Sequence, residues 1–317
     1  MFLHPILRLV PDNTKIRFMR GRFLGLMVSA VLSTSSIVLF FYPGLNLGID
    51  FKGGVVIQAE TPGTADFSRL RAALAAAGLG GAGLQRLGSP DKVMISLEAQ
   101  RTDAATDAAV QRIGTALQKA APGTRILGTS AIGASVSAEL FQKGLLALGL
   151  SLLMILVYIW FRFEWEFAVG AVVTLILDMT KAIGFLVITR IQFDLVMVAA
   201  ILTILGYSTN DKVVVYDRVR ENLRKYKSLP LRELIDLSIN ETLSRTVGTS
   251  TTVFLAALPL ALFGGASLSG FAWVMLFGIV VGTSSSIFIA APILLFLGEH
   301  RLRQDARAAP RPAKSRG

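Results

Sequence analysis

The sequence contains no cysteine, and its two histidines, His4 and His300, stand near the ends of a 317-residue chain. The first absence excludes a disulfide framework and thiolate metal sites, while leaving the compartment open. The second leaves the interior without an imidazole for acid–base work or metal ligation. Neither a metal nor a cofactor is expected. Charge is scarce too: Asp, Glu, Lys and Arg make up 17% of the residues, against about 25% in a soluble domain. The chain has no Gly-x-x-x-x-Gly-Lys-[Ser/Thr] run, so ATP hydrolysis is not expected of it.

What the sequence has in abundance is apolar surface. Hydrophobic residues are 53% of the chain and the mean hydropathy is +0.60. Several runs reach the length of about 18 residues that spans a bilayer, which predicts a polytopic α-helical membrane protein. The net charge of +11 would suggest nucleic acid in a soluble protein. Here the basic residues flank the apolar runs, as the positive-inside rule requires, and no nucleic acid is expected.

The expected organisation follows these runs. Residues 1–42 form a basic inner N-terminus, with Arg8, Lys15, Arg17, Arg20 and Arg22, and a first span from Gly21 to Tyr42. The run is too long for a cleaved signal peptide and ends in Phe40-Phe41-Tyr42-Pro43 without a small-residue cleavage site, so a retained anchor is expected. Residues 43–142 form an outer domain. Its pattern reads as a strand at Val55–Ala59, a helix at Asp66–Ala77 and short strands at Leu84–Leu87 and Val93–Leu97. A helix at Asp103–Ala120 and a strand at Thr124–Thr129 complete it. The order β-α-β-β-α-β predicts a ferredoxin-like α+β fold. Residues 143–297 carry five further spans, at Gly144–Phe161, Phe167–Ile188, Leu195–Tyr216, Thr246–Phe263 and Phe271–Leu297. A charged inner loop is expected over 217–245, with Leu231, Leu234, Ile235 and Ile239 on an amphipathic helix along the membrane. Residues 298–317 are a basic inner tail. This gives six transmembrane helices with both termini cytoplasmic.

The stretch that demands an explanation is Gly206-Tyr-Ser-Thr-Asn-Asp-Lys212, where Asp211 interrupts an apolar run. A carboxylate in a bilayer costs about 2.5–3.5 kcal/mol on insertion scales and marks a functional position by default. Depth arithmetic at about 1.5 Å per residue puts Asp211 in the inner part of the bilayer and brings Arg245 to the same level from the next span. A proton-dependent pair is the functional reading: protonating Asp211 releases the permanently charged Arg245, and deprotonation recaptures it. The alternative is a static pair that fixes the bundle. Asp178 and Lys181 are three residues apart, so they share a helix face, either in the same proton path or as a self-neutralising pair. Lys212 points about 100° from Asp211 and is expected to snorkel to the inner surface. Ser208 and Asn210, with Thr249 and Thr252 on the next span, are candidates for supporting hydrogen bonds. Gly278-Ile-Val-Val-Gly282 and Gly21 to Gly25 fit close helix contacts.

These motifs carry a resemblance. Leu47-Gly-Ile-Asp-Phe-Lys-Gly-Gly54, just after the first span, resembles the G-I-D-F-x-G-G signature of the bacterial SecD/SecF family, through Gly48, Asp50, Gly53 and Gly54. Gly206 to Asn222 resembles the fourth-span motif of its SecF members, and Thr242-Leu-Ser-Arg-Thr-Val-Gly-Thr-Ser-Thr-Thr252 the fifth-span motif. Phe263-Gly-Gly265 and Gly282-Thr-Ser-Ser-Ser286 match as well. The resemblance implies one six-span half of an RND-superfamily architecture and a proton-driven accessory to the Sec translocase in the bacterial inner membrane. It implies SecD as the partner that supplies the other half, with the SecYEG translocon, YajC and the translocating polypeptide beside it and lipid around it. It also implies that Asp211 and Arg245 are tied to proton conduction. The chain departs from the family pattern at Leu177, where a histidine is usual, at Lys181, and at Gly133-Ala134.

Two other functions have weaker support. An intramembrane aspartyl protease would use paired carboxylates, but no Gly-x-Gly-Asp run occurs. A self-sufficient small-molecule exporter of the same superfamily would carry two six-span halves, and this sequence has one.

Overall fold

The computed structural model describes residues 11, 14–98 and 103–297. The basic tail at 298–317, with His300, and most of the N-terminal segment, with His4 and Arg8, lie outside the described residues. A 3₁₀ turn (Phe18–Gly21) leads into α1 (Arg22–Phe41), followed by a single helical turn α2 (Ile49–Lys52). The outer domain comprises β1 (Gly54–Glu60), α3 (Phe67–Ala76), β2 (Gly83–Arg86), β3 (Lys92–Glu98), α4 (Asp103–Ala120) and β4 (Arg125–Ile132). Then come α5 (Ala134–Arg162), α6 (Trp165–Thr189), α7 (Leu195–Lys225), α8 (Leu231–Phe263) and α9 (Gly265–Ser285). A π-helical turn, Ser286–Ala290, continues α9, and the helix runs on to Leu297.

The outer domain has the expected ferredoxin-like topology. Its sheet order is β2-β3-β1-β4, with every neighbouring pair antiparallel. Alternation along the central strands buries Val55, Ile57 and Ala59 of β1 and Val93, Ile95 and Leu97 of β3. Leu70 and Leu74 of α3 and Ile113 and Leu117 of α4 close the core. Asp66 caps α3 by accepting from the amides of Ser68 (3.0 Å) and Arg69 (3.1 Å). β4 extends past Thr129 to Ile132 because its backbone pairs with β1 as far as Gly54. It is an edge strand, exposed along almost its whole length.

Six helices are long and apolar enough to cross a membrane. Their number and order match the expectation, but the inner ends do not. The segment 217–245 is not a loop carrying a separate surface helix. α7 continues to Lys225 and α8 starts at Leu231, so both extend beyond their apolar stretches. Leu231, Leu234, Ile235 and Ile239 are buried against Val219 and Leu223 of α7 and Phe163 of the α5–α6 turn. The apolar stripe faces another helix rather than lipid. Tyr216, expected at the inner boundary, is 1% exposed and packs on Phe163 and Phe167. Arg162 donates to both oxygens of Asp217 (2.8 and 2.9 Å), which holds the extension of α7 to the end of α5.

Small residues set the helix spacing. A Cβ on Gly278 would overlap Ile204, and one on Gly282 would stand 3.1 Å from Ser208 Oγ. The expected close contact along Gly278–Gly282 is therefore made, by α9 against α7. Gly25 of α1 approaches Phe288 in the same way, whereas a Cβ on Gly21 would meet nothing within 4 Å among the described residues.

Candidate functional site

The tight packing of α6, α7 and α9 encloses a polar cluster inside the bundle. Asp178 on α6 is 1% exposed. Its Oδ2 accepts from Ser208 Oγ (2.8 Å), Ser285 Oγ (2.7 Å) and Lys212 Nζ (3.0 Å). Lys212 is fully buried and also donates to Ser208 Oγ and, at 3.2 Å, to Ser285 Oγ. Lys181 lies 3.6 Å from Asp178 Oδ1, an oxygen with no hydrogen-bond partner among the described residues. It also lines a cavity of about 320 Å³ with Ser29, Leu32 and Phe288. Among the described residues, Asp211 on α7 is bound by hydroxyls alone, from Thr246 of α8 (2.7 Å) and from Ser286 of the π-helical turn. The cluster therefore holds two carboxylates and two ammonium groups, a balance that reduces the cost of burying each charge.

The arrangement corrects three expectations. Lys212 does not snorkel to the surface. Its position four residues after Ser208 puts both side chains on the α7 face that meets α6 and α9, where Asp178 supplies a counter-charge. The spacing was visible in the sequence; the partner was not. Asp178 is bound at closer range by Lys212 than by Lys181, because a residue on the facing helix points at it directly. Asp211 and Arg245 do not form an ion pair: α8 turns Thr246 toward Asp211, and Arg245, one residue earlier, is exposed. Of the supporting candidates, Ser208 belongs to the cluster. Thr249 and Thr252 donate instead to the carbonyls of Arg245 (3.0 Å) and Gly248 (2.8 Å), and both are exposed, as is Asn210. Ser285 and Ser286 were missed as site residues. They lay in Gly282-Thr-Ser-Ser-Ser286, a run read as a match to the family and as close packing, with no role given to its hydroxyls.

The outer end of α7 holds the second set of predicted residues. Gly48 donates its amide to Phe193 O, and Phe193 donates its own to Asn46 O, each at 2.8 Å. A Cβ on Gly48 would press on Asp194 at 3.2 Å. Asp50 Oδ2 accepts from Leu195 N (3.0 Å) and Asp194 Oδ1 from Met197 N (2.9 Å), so two carboxylates cap one helix N-terminus. Burial pushes Asp194 above the usual carboxylate range, and Asp50 beside it adds to the rise. Phe51 sits between Phe141 of α5 and Phe193, with ring centroids 5.5 and 5.3 Å away. Gly53 (φ 71°) and Gly54 (φ 134°) then turn the chain into β1 through backbone conformations that favour glycine. The signature is thus a joint between the outer domain, α5 and α7.

Comparisons with known proteins agree with this architecture. The family described as protein export membrane protein SecD/SecF, C-terminal, matches residues 112–300, and the SecD/SecF GG motif matches residues 38–61. The protein translocase subunit SecF of Cereibacter sphaeroides is 41% identical over 311 residues, covering 95% of this chain and 96% of the relative. The protein translocase subunit SecDF of Brucella abortus is 42% identical over 95% of this chain, which spans 39% of that longer protein. Among solved structures, SecDF from Thermus thermophilus, a translocon-associated membrane protein, superposes with a TM-score of 0.83 at 30% identity. That match covers 91% of this chain and 39% of the other. With the joint formed by the signature residues and near-complete alignment to SecF relatives, the chain belongs to the SecD/SecF family of protein export membrane proteins, among its SecF members.

Proposed function

We propose that this chain is one six-helix half of a two-half complex that uses the proton motive force to promote late-stage movement of polypeptides across the bacterial inner membrane. SecD supplies the other half, the SecYEG translocon and YajC stand beside it, and neither terminus leaves the cytoplasm. The chain itself hydrolyses no ATP and serves as a transport accessory subunit.

The observation that carries the reading is the polar face left open on α7 and α8. Asn210, Arg245, Thr249 and Thr252 are exposed on helices able to span a membrane, and Arg245 has no ion-pair partner among the described residues. A guanidinium facing lipid costs about 2.5–3.5 kcal/mol on insertion scales, so this face calls for a protein partner. The Brucella relative is a single SecDF chain of which this one spans 39%, which leaves room for a second half. The exposed edge of β4 offers the outer domain a matching contact.

Asp211 is suited to accept a proton because its partners are hydroxyls, which serve an acid as well as a carboxylate. Protonation there breaks no ion pair. A charged Asp211 attracts the ammonium of Lys212, the next residue on its helix, and a neutral one does not. Each proton falling through 100 mV supplies about 2.3 kcal/mol to drive that change. Asp211→Asn is expected to insert normally and to abolish the stimulation of export by the proton motive force. Export that responds fully to the proton gradient in cells relying on this variant would refute the relay.

A further inference from the structure

Ser285 closes α9 and Ser286 opens the π-helical turn, so two consecutive hydroxyls reach carboxylates on two different helices. Ser285 donates to Asp178 on α6 at 2.7 Å, and Ser286 donates to Asp211 on α7. Each hydroxyl also has a second acceptor, the carbonyl of Gly282 (3.0 Å) for Ser285 and of Thr283 (2.8 Å) for Ser286. A hydroxyl has one hydrogen and two lone pairs. Facing a carboxylate, it donates its hydrogen. Facing a carboxylic acid, it accepts the acid's hydrogen and turns its own toward the carbonyl. Both protonation states are satisfied without exposing a polar hydrogen to lipid.

The charged groups around the two carboxylates are few. Asp178 is faced by Lys212 of α7 and by Lys181 on its own helix. Asp211 is faced by Thr246 and Ser286, with Lys212 next to it in the chain. The buried polar residues of α1, which packs on α6, are Ser29, Ser33 and Ser36, and Arg245 of α8 is exposed. The ammonium of Lys212 pairs with Asp178 at 3.0 Å and acts on Asp211 through space, and it donates to Ser285 Oγ at 3.2 Å.

We propose that Ser285 and Ser286 are positioning residues that join Asp178, Lys212 and Asp211 into one coupled titrating unit, in which the charge state of one carboxylate sets the proton affinity of the other. When Asp178 is ionised it holds Lys212. When Asp178 takes a proton, the ammonium is released to favour an ionised Asp211. The π-helical turn provides the register that points neighbouring hydroxyls at both sites, in keeping with the frequent placement of such turns at functional positions. The inference extends the relay reading of Asp211 to the α6 side of the cluster.

The test reads protonation rather than export. The full chain, reconstituted in phospholipid vesicles, is titrated by infrared difference spectroscopy of the carboxylic-acid C=O band, and the band of Asp211 is the one lost in Asp211→Asn. With the serines present, Asp178→Asn is expected to move the Asp211 midpoint by at least about one pH unit, the scale of strongly interacting sites. With Ser285→Ala and Ser286→Ala together, the same substitution is expected to move it by less than a third as much. Ser286→Thr, which keeps the hydroxyl, retains the shift. If the double variant fails to fold, Ser286→Ala and Ser286→Thr carry the same comparison. An equal shift without the serines overturns the proposal, as does no shift in their presence or no titrating Asp211 band between pH 4 and 10. Normal export by Asp211→Asn, together with the full shift in the protein that keeps Asp211, refutes the relay and leaves the coupling standing.

Discussion

Lys212 shows how a single residue takes its meaning from its neighbours. A fully buried ammonium is tolerable only with a counter-charge and filled hydrogen-bonding positions, and Asp178, Ser208 and Ser285 supply them. Lys181, bound to the same carboxylate at 3.6 Å and adjoining a cavity, is held less firmly. Removing one partner of a buried pair strands the other. Lys212→Met is therefore expected to lower stability in detergent by about 3 kcal/mol, and Lys181→Ala by less than half of that. Pairing Lys212→Met with Asp178→Asn should recover most of the loss. The reverse order of the two single variants in a denaturation series would make Lys181 the main partner. The charged residues of this cluster were all legible as anomalies in apolar runs, but which ammonium met which carboxylate was not, because helical spacing gives a face and not what lies opposite.

At the scale of elements, the cluster depends on how closely α9 lies against α7. Gly278 and Gly282 allow that approach, and they stand two turns and one turn before the Ser285–Ser286 pair. Gly278→Ala would force a methyl group into Ile204 and push the helices apart. Overpacking of this kind costs about 1–3 kcal/mol. Gly149→Ala, at a position with nothing within 4 Å of the added Cβ, serves as the control. Melting in detergent should show a clear loss for the first variant and none for the second, which gains helix propensity. Equal melting temperatures would mean that α9 is not held at this distance. The Gly-x-x-x-Gly pattern announced a close contact, yet a pattern on one helix says nothing of its partner. The inner extensions of α7 and α8 were misread for a related reason. A charged surface with an apolar stripe suits a membrane interface or a neighbouring helix equally well, and the choice rests on contacts such as Ile235 against its buried neighbours in the inner core.

The described residues form an outer α+β domain and a helical bundle, joined where the signature meets α5 and α7. Asp50 follows the first span, Asp194 precedes α7, and both cap the helix that carries Asp211. Asp194 holds its proton more tightly in the folded protein than in the unfolded chain, because burial and Asp50 oppose its ionisation. The folded state then binds more protons, so this group's contribution to stability falls as pH rises from the ordinary carboxylate range through the raised value. Asp194→Asn keeps a good capping side chain and removes the charge. Compared between about pH 4 and pH 7.5, its melting temperature should decline less than that of the unaltered protein, with the gain appearing at the higher pH. A variant with an unaltered pH slope would show that Asp194 does not report on the joint.

The sequence by itself determined the six apolar spans, the ferredoxin-like order of the outer domain and the identity of the costly residues Asp178, Lys181, Asp211 and Lys212. Those features follow from composition and local periodicity, which hydropathy and backbone geometry translate almost directly into elements. Tertiary structure alone decided that Asp211 meets Thr246 and Ser286 rather than Arg245, and that Lys212 turns inward to Asp178. It also made Asp50 a cap for a helix far along the chain. The physical reason is that successive residues on a helix point about 100° apart. Which of two neighbours reaches a partner depends on the rotation of each helix in the bundle, a quantity fixed by packing and not written in any one segment.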